Sequence, residues 1–465
     1  MGGMFGVVAR IDCLTDLFYG TDYHSHLGTR RGGMVVRKPK GFQRNIHDIS
    51  NTQFRSKFQD DLPKLHGDMG LGVISDYEDQ PLLIRSHHGS YAIVSVGRVH
   101  NLQELADRAL SKCGFHFAEL KEGEINQTEL IAALINSGSD LEDGIRRALL
   151  EIEGSISLLI LTEDALWAAR DRMGRTPLTT GRKEDAFAVT MESCALPNLG
   201  YEVERIMGPG EVVRITPDGV ERMAEPGDKM QICSFLWIYY GYPASDYEGI
   251  NCEVARNRCG EALAGRDDVE ADLVAGIPDS GVGHALGYAS KTGLPYRRPF
   301  VKYTPTWPRS FMPQDQSERN LVARMKLIPV HDLIDGQRIL FCEDSIVRGT
   351  QLTDIIQRLY GHGARELHMR VACPPLLFGC KYLNFSRSRS VLDLATRKAM
   401  IELGDTSPDH LDEYADPESD RYNAMVAKIC GRLELTSLRY QTMDDMIKAI
   451  GLPGEKLCTA CWTGE

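Results

Sequence analysis

Residues 339–350 run from an apolar stretch, Ile339 to Cys342, into two acids, Glu343 and Asp344, and then a small-residue loop, Ser345, Ile346, Val347, Arg348, Gly349 and Thr350. That order of parts suits a grip on a phosphorylated ribose. Backbone N–H groups of the loop would point at an anion with a helix dipole behind them, while the two carboxylates accept hydrogen bonds from sugar hydroxyls. A second loop, Asp279-Ser280-Gly281, offers close backbone approach to a diphosphate and a hydroxyl for phosphate or Mg2+. Taken alone it is no more than a turn. Near the end of the chain Cys458 and Cys461 form a Cys-x-x-Cys pair. By itself the pair fits a redox couple, half a zinc site or two surface thiols.

The elements that must position these groups follow from periodicity. Ile339–Cys342 reads as a buried parallel strand, and residues 353–360 have helical apolar spacing. Residues 272–276 and 367–371 read as further strands, and 284–290 as a helix after the Ser280 loop. Strands alternating with helices predict a doubly wound parallel sheet with its site at the strand ends. Upstream, short alternating apolar runs at 4–9, 91–96, 156–161 and 212–215 are interspersed with helical segments at 128–135 and 141–152. They predict sheets with packed helices, closed off by a polar linker around 223–230.

With 465 residues, 42% hydrophobic and 25% charged, the chain is long enough for two or three domains. Its formal charge of -12 without a basic run argues against a nucleic-acid partner. No apolar stretch approaches the roughly 18 residues of a membrane span. The N-terminus lacks signal-peptide character and residue 6 is Gly where myristoylation expects Ser or Thr, so the cytoplasm is the expected compartment. The 12 cysteines in a large chain without secretory signals do not read as a disulfide framework. Cys13, Cys113, Cys194, Cys252, Cys259, Cys342, Cys373 and Cys430 default to core packing.

The Glu-Asp-Ser-Ile-Val-Arg-Gly-Thr string and the Asp279-Ser280-Gly281 loop together resemble the glutamine phosphoribosylpyrophosphate (PRPP) amidotransferase family. The context around Cys233, Cys380, Cys458 and Cys461 resembles its iron-sulfur branch. The resemblance implies an α+β N-terminal-nucleophile domain, an αββα sandwich, over 1–222, a linker over 223–232 and an α/β type I phosphoribosyltransferase domain over 233–465. It places Asp279, Ser280, Gly281 and residues 343–350 on PRPP, and Ser280, Glu343 and Asp344 near Mg2+. Lys302 and Arg309 fall in the family's mobile catalytic loop. The cysteines become ligands of a 4Fe-4S cluster, with zinc as the competing occupant, pinning the C-terminal tail. A homodimer or homotetramer is implied as well.

Departures from the family pattern are concentrated in the first half. The nucleophilic Cys is Gly2, the His-Arg-Gly motif has Leu27, and the carboxylate-holding Arg is Ser75. The oxyanion Asn is Val96, and the amine-binding Ser-Asp-Thr-Glu has Gln127 in place of its Asp. In the second half Glu343 replaces an Asp, and Pro305 and Pro308 enter the mobile loop. His24, His26, Arg30 and Arg31 read as a packed or solvated surface rather than a new anion site. The expectation is a PRPP-binding protein that uses ammonia or another amine without hydrolysing glutamine. The alternative is a catalytically silent paralogue that binds PRPP or nucleotide as a regulatory or assembly partner.

Overall fold

The computed structural model describes residues 2–111, 116–121, 123–303, 327–383, 391–406 and 410–464. Gly2–Ala9, buried along its whole length, lies in the interior of a 7-stranded antiparallel sheet. Its neighbours are Ala186–Thr190 and Met69–Ser75; Thr179–Lys183 and Glu202–Ile206 extend one side, Arg31–Lys38 and Gly41–Asp48 the other. A second antiparallel sheet of 6 strands contains Gly89–Val99 and Gly154–Leu161 as neighbouring interior strands. Alternation along each strand sends one set of side chains between the sheets and the other outward. Met4, Val8, Leu71, Val94, Leu159 and Val213 fill the space between them. Helix Leu14–Asp22 covers one outer face, and Gln127–Ile135 with Leu141–Glu151 covers the other. The four layers form the expected αββα sandwich. Its last strand, Gly219–Ala224, runs two residues into the expected linker.

The C-terminal half is built on a parallel sheet ordered Leu273–Gly276, Arg338–Glu343, Glu366–Val371, Ser437–Tyr440. Both faces of Leu273–Gly276 and of residues 339–342 are apolar, which is why these two read as continuous hydrophobic runs, whereas Glu366–Val371 and Ser437–Tyr440 alternate. Val274, Leu340 and Cys342 pack beneath Cys252–Gly265 and Val282–Thr292. Ile339 and Phe341 face the other way, onto Ile356 and Leu359 of Thr350–Gly361 and Met425 and Ile429 of Asp420–Arg432. The carboxyl ends of two neighbouring strands therefore deliver the Ser280 loop and the Glu343–Asp344 loop side by side. No helix among the described residues is long and apolar enough to cross a membrane.

Polar groups join the halves. Glu192, fully buried, accepts from Ser245 Oγ at 2.5 Å and Tyr247 OH at 2.7 Å, both in the C-terminal half, while His26 Nε2 lies 2.9 Å from its other oxygen. The fully buried Arg170 reaches Glu248 at 2.7 Å. Leu27 contributes to the apolar cluster of the C-terminal half beside Ile232, Phe235 and Trp237. His24 is buried and His26 paired, so these histidines are packed, as expected, and form no open anion site.

Burial acts to raise the Glu192 carboxyl, but His26, His24 and Ser245 outweigh it and its pKa is lowered. A lowered carboxyl contributes stability above its unfolded value near 4.5 that is lost as pH falls through the folded value. Burial pushes His24 down to about 4, so the unfolded chain takes that proton first and stability already declines between pH 6.5 and 4. Glu192→Ala should cost about 3–5 kcal/mol at neutral pH by leaving its buried partners unmatched. It should also flatten the loss of stability on the acid side of pH 4.5. Denaturant titrations of both proteins from about pH 2.5 to 8 measure this, and coincident curves would rule out Glu192 as the interdomain clasp.

Candidate functional site

The two candidate sugar-phosphate loops meet. Ile277 N–H donates to Cys342 O at 3.0 Å, and Ser280 Oγ lies 3.5 Å from Glu343 Oε1. A Cβ on Gly281 would run into the Cys342 carbonyl oxygen, so only glycine allows this approach. Gly349, at φ +77, turns the chain into helix Thr350–Gly361, whose first-turn N–H groups open toward the loop. Ser345 Oγ donates to Asp344 Oδ2 at 2.6 Å, Ile346 is buried in the core, and Val347 O accepts the Ala395 N–H at 2.8 Å. Arg348 sits 3.8 Å from Asp393. Lys302 forms an ion pair with Asp279 across the mouth of the loop. Arg309, Pro305 and Pro308 lie outside the described residues.

Glu343 and Asp344 are both buried, and among the described residues no Lys or Arg pairs with either. Burial, with Asp344 beside it, pushes the Glu343 carboxyl well above the usual range. Two adjoining buried carboxyl groups and a serine hydroxyl are hard oxygen donors that a divalent cation would relieve. The extra methylene of Glu343 has a visible effect: Oε1 folds back to accept the N–H of Asp344 at 3.0 Å.

The cysteines of three distant segments also converge. Cys233 and Cys458 are register partners in a short parallel strand pair, Ile232–Cys233 with Leu457–Cys458. Cys461 is in hydrogen-bonding contact with Cys380, and all four thiols influence one another electrostatically. Backbone bonds from Leu377 and Phe378 to Cys461 O clamp the tail to the segment preceding Cys380. Cys233 is buried and the other three are half-buried. Burial pushes the Cys233 and Cys458 thiols up, and hydrogen bonding to Cys380 together with burial does the same for Cys461. Among the described residues no three Cys, His, Asp or Glu side chains converge as a single ion would need. Four thiol donors suit either an iron-sulfur cluster or a zinc ion by their chemistry.

At the N-terminal strand the expected glutaminase positions are filled by the protein's own side chains. A Cβ on Gly2 would collide with the Ile74 carbonyl oxygen. Ser75 Oγ accepts the N–H groups of Tyr77 and Glu78 at 3.3 and 3.2 Å, a local turn that directs Glu78 inward. The Glu78 carboxylate then caps helix Gln127–Ile135, accepting from Gln127 N at 2.5 Å and Thr128 Oγ1 at 2.8 Å. Gln127 uses both ends of its amide, donating to Gly97 O at 3.0 Å and accepting from Val99 N at 3.1 Å. Val96 is buried. What remains beside Gly2, Ser75, Glu78, Gly97, Gln127 and Leu383 is a cavity of about 20 Å³, room for about one water. A larger cavity of about 290 Å³ opens by Arg31, Arg44 and His47, and there Arg31 is already paired with Asp48 and Asp79.

Glu78 and Leu383 carry no local signal in the sequence. Glu78 lies in a loop whose family motif is absent, and Leu383 reaches the cavity from the other half of the chain. Gln127→Ala should cost about 1–3 kcal/mol by stranding the Gly97 carbonyl and the Val99 N–H. Equilibrium unfolding measures it, and a neutral effect would mean that the amide does not hold the pocket shut.

Comparison with known proteins bears on the whole chain. A glutamine amidotransferase domain model matches residues 68–198. The amidophosphoribosyltransferase of Methanocaldococcus jannaschii is 30% identical over 494 aligned residues, covering 100% of this chain and 97% of the relative. That of Bacillus subtilis is 30% identical over 480, covering 100% and 93%. The solved structure of the B. subtilis glutamine PRPP amidotransferase, complexed with ADP and GMP, superposes with a TM-score of 0.85 at 28% identity, covering 100% of this chain and 96% of that one. The two sugar-phosphate loops thus sit in a chain matched over its full length, and the protein belongs to the amidophosphoribosyltransferase family.

Proposed function

We propose that this protein binds PRPP with a divalent cation, Mg2+, and transfers its phosphoribosyl group to ammonia or another small amine without hydrolysing glutamine. The observation that carries the first part is the buried Glu343–Asp344 pair, unmatched by Lys or Arg among the described residues, beside Ser280 and a helix start. The carboxyl groups receive the ribose hydroxyls, and the glycine-lined loops receive the phosphates. Lys302 exchanges Asp279 for pyrophosphate oxygens. The cation would be held by Ser280, Glu343 and Asp344, and when bound would supply charge neutralisation to the leaving pyrophosphate. The amine nitrogen forms a bond to the ribose C1 as the C1–O bond to pyrophosphate breaks, giving phosphoribosylamine, the entry compound of purine synthesis in this family. A cytoplasmic homo-oligomer is part of the same reading.

The second part rests on the filled pocket. The nucleophile, both charge clamps and the oxyanion donor are replaced, and Glu78 and Gln127 occupy polar groups that a substrate would need. Loss of a single oxyanion donor already costs about 10²–10³ in rate. The four cysteines are assigned to a 4Fe-4S cluster that ties the tail to both halves.

A silent PRPP-binding paralogue is favoured by one observation, the turn of Glu343 Oε1 onto its own loop. Pyrophosphate release from PRPP and Mg2+, with ammonium at alkaline pH or with glutamine, separates the readings. Release with ammonium alone is the expected result. Glutamine-dependent release would refute the N-terminal reading, and PRPP binding without release under either donor would favour the silent paralogue. Glu343→Asp should raise ammonium-dependent turnover, by up to about 10²-fold if carboxylate placement limits it. Gly2→Cys should leave glutamine hydrolysis at background, because the Cβ clash and the occupied pocket persist; measurable glutamate production by that variant would show otherwise.

A further inference from the structure

Arg175 belongs to the N-terminal half, yet it touches all three chain segments that carry the four clustered cysteines. Its carbonyl accepts the N–H of Cys233 at 3.1 Å. Its guanidinium carbon lies 3.6 Å from the ring centroid of Tyr382, two residues beyond Cys380. The same guanidinium is near enough to Cys458 to oppose the rise that burial imposes on its thiol. The side chain is 6% exposed.

Its charge is only partly matched, since the buried Asp171 carboxylate feels it electrostatically without forming an ion pair with it. Its polar partners are neutral, Gln231 Oε1 at 3.1 Å and Gly154 O at 3.4 Å, and among the described residues it forms no ion pair. Nε is buried without a partner. Asp171 accepts the backbone N–H of Arg175 at 2.8 Å. A buried guanidinium is retained only where an anion or several acceptors compensate it. Four thiolates around an iron-sulfur core leave net negative charge in a water-poor site, and hydrogen bonds and charges next to the sulfurs set both its stability and its potential. The orphaned N–H and the charge of Arg175 meet that need from one side, with Tyr382 stacked to hold the plane of the guanidinium.

We propose that Arg175 is the counter-charge and positioning residue of the four-cysteine site, so that the N-terminal half controls how firmly the C-terminal half holds its metal and at what potential. The proposal rests on the four-cysteine assignment above. The test uses the full chain purified anaerobically as wild type, Arg175→Lys and Arg175→Met. Iron and acid-labile sulfide per chain, retention against a chelator, and the midpoint potential are measured, with thermal unfolding as the fold control. Arg175→Met should retain its metal about 10–100-fold less well and be reduced at lower potential. Arg175→Lys should recover the potential better than the retention, because it restores charge without the planar fork. A folded Arg175→Met chain with wild-type retention and potential overturns the proposal. If that variant does not fold, Tyr382→Leu removes only the stack; weaker retention supports the proposal and unchanged retention overturns it. Wild type loaded with zinc instead would sink the cluster reading while leaving Arg175 to be judged by the rate of zinc loss to the chelator. There, faster loss from Arg175→Met supports the proposal and equal loss overturns it. Wild type that takes up neither metal sinks both.

Discussion

Charge buried at the seam between the halves is the constraint on which this structure turns. Glu192, Arg170 and Arg175 all come from the N-terminal half, and each finds partners across the boundary: Ser245 and Tyr247, Glu248, and the segments around Cys233, Cys380 and Cys458. A buried ionic group stripped of its partner is far more costly than one never buried. The sandwich cannot be lost or rearranged without exposing that cost in the C-terminal half. Retention of the whole sandwich is what such mutual dependence predicts.

The same logic explains the form of the altered pocket. Once residue 2 has no side chain and the clamps are gone, helix Gln127–Ile135 still has N-terminal N–H groups, and the strand Gly89–Val99 still has a carbonyl and an N–H to satisfy at Gly97 and Val99. Glu78 and Gln127 take up those bonds, leaving space for about one water. Leu27 follows the apolar version of the same rule: where the family motif carries an arginine, this chain buries a leucine in the core of the neighbouring half. The departures are mutually compensated, which separates them from a single disabling replacement.

At the candidate sugar-phosphate loops two strand ends are held together while one acid turns back onto its own loop. Glycine at 281 and 349 and the hydroxyl of Ser280 preserve the close approach of two strand ends, and the acids stay buried. The added length of Glu343 lets an oxygen turn back onto the loop backbone. Binding depends on the shape of the whole cradle, whereas turnover depends on carboxylate placement to within about 1 Å, so the two properties can part company here.

Local order carried most of the fold. Continuous apolar runs at 273–276 and 339–342 gave away parallel strands because both their faces are covered, and the glycines and acids after them marked the strand ends. Family motifs named the cysteines and the altered glutaminase positions. Tertiary structure alone decided the rest: that Glu78 and Gln127 close a pocket from segments far apart in sequence, that Leu27 and Leu383 cross the domain boundary, and that Arg175 stands beside the thiols. A sequence specifies which groups exist and which neighbours share an element. Which buried charge is left for which partner is settled only when the separate segments are packed and water is excluded from between them.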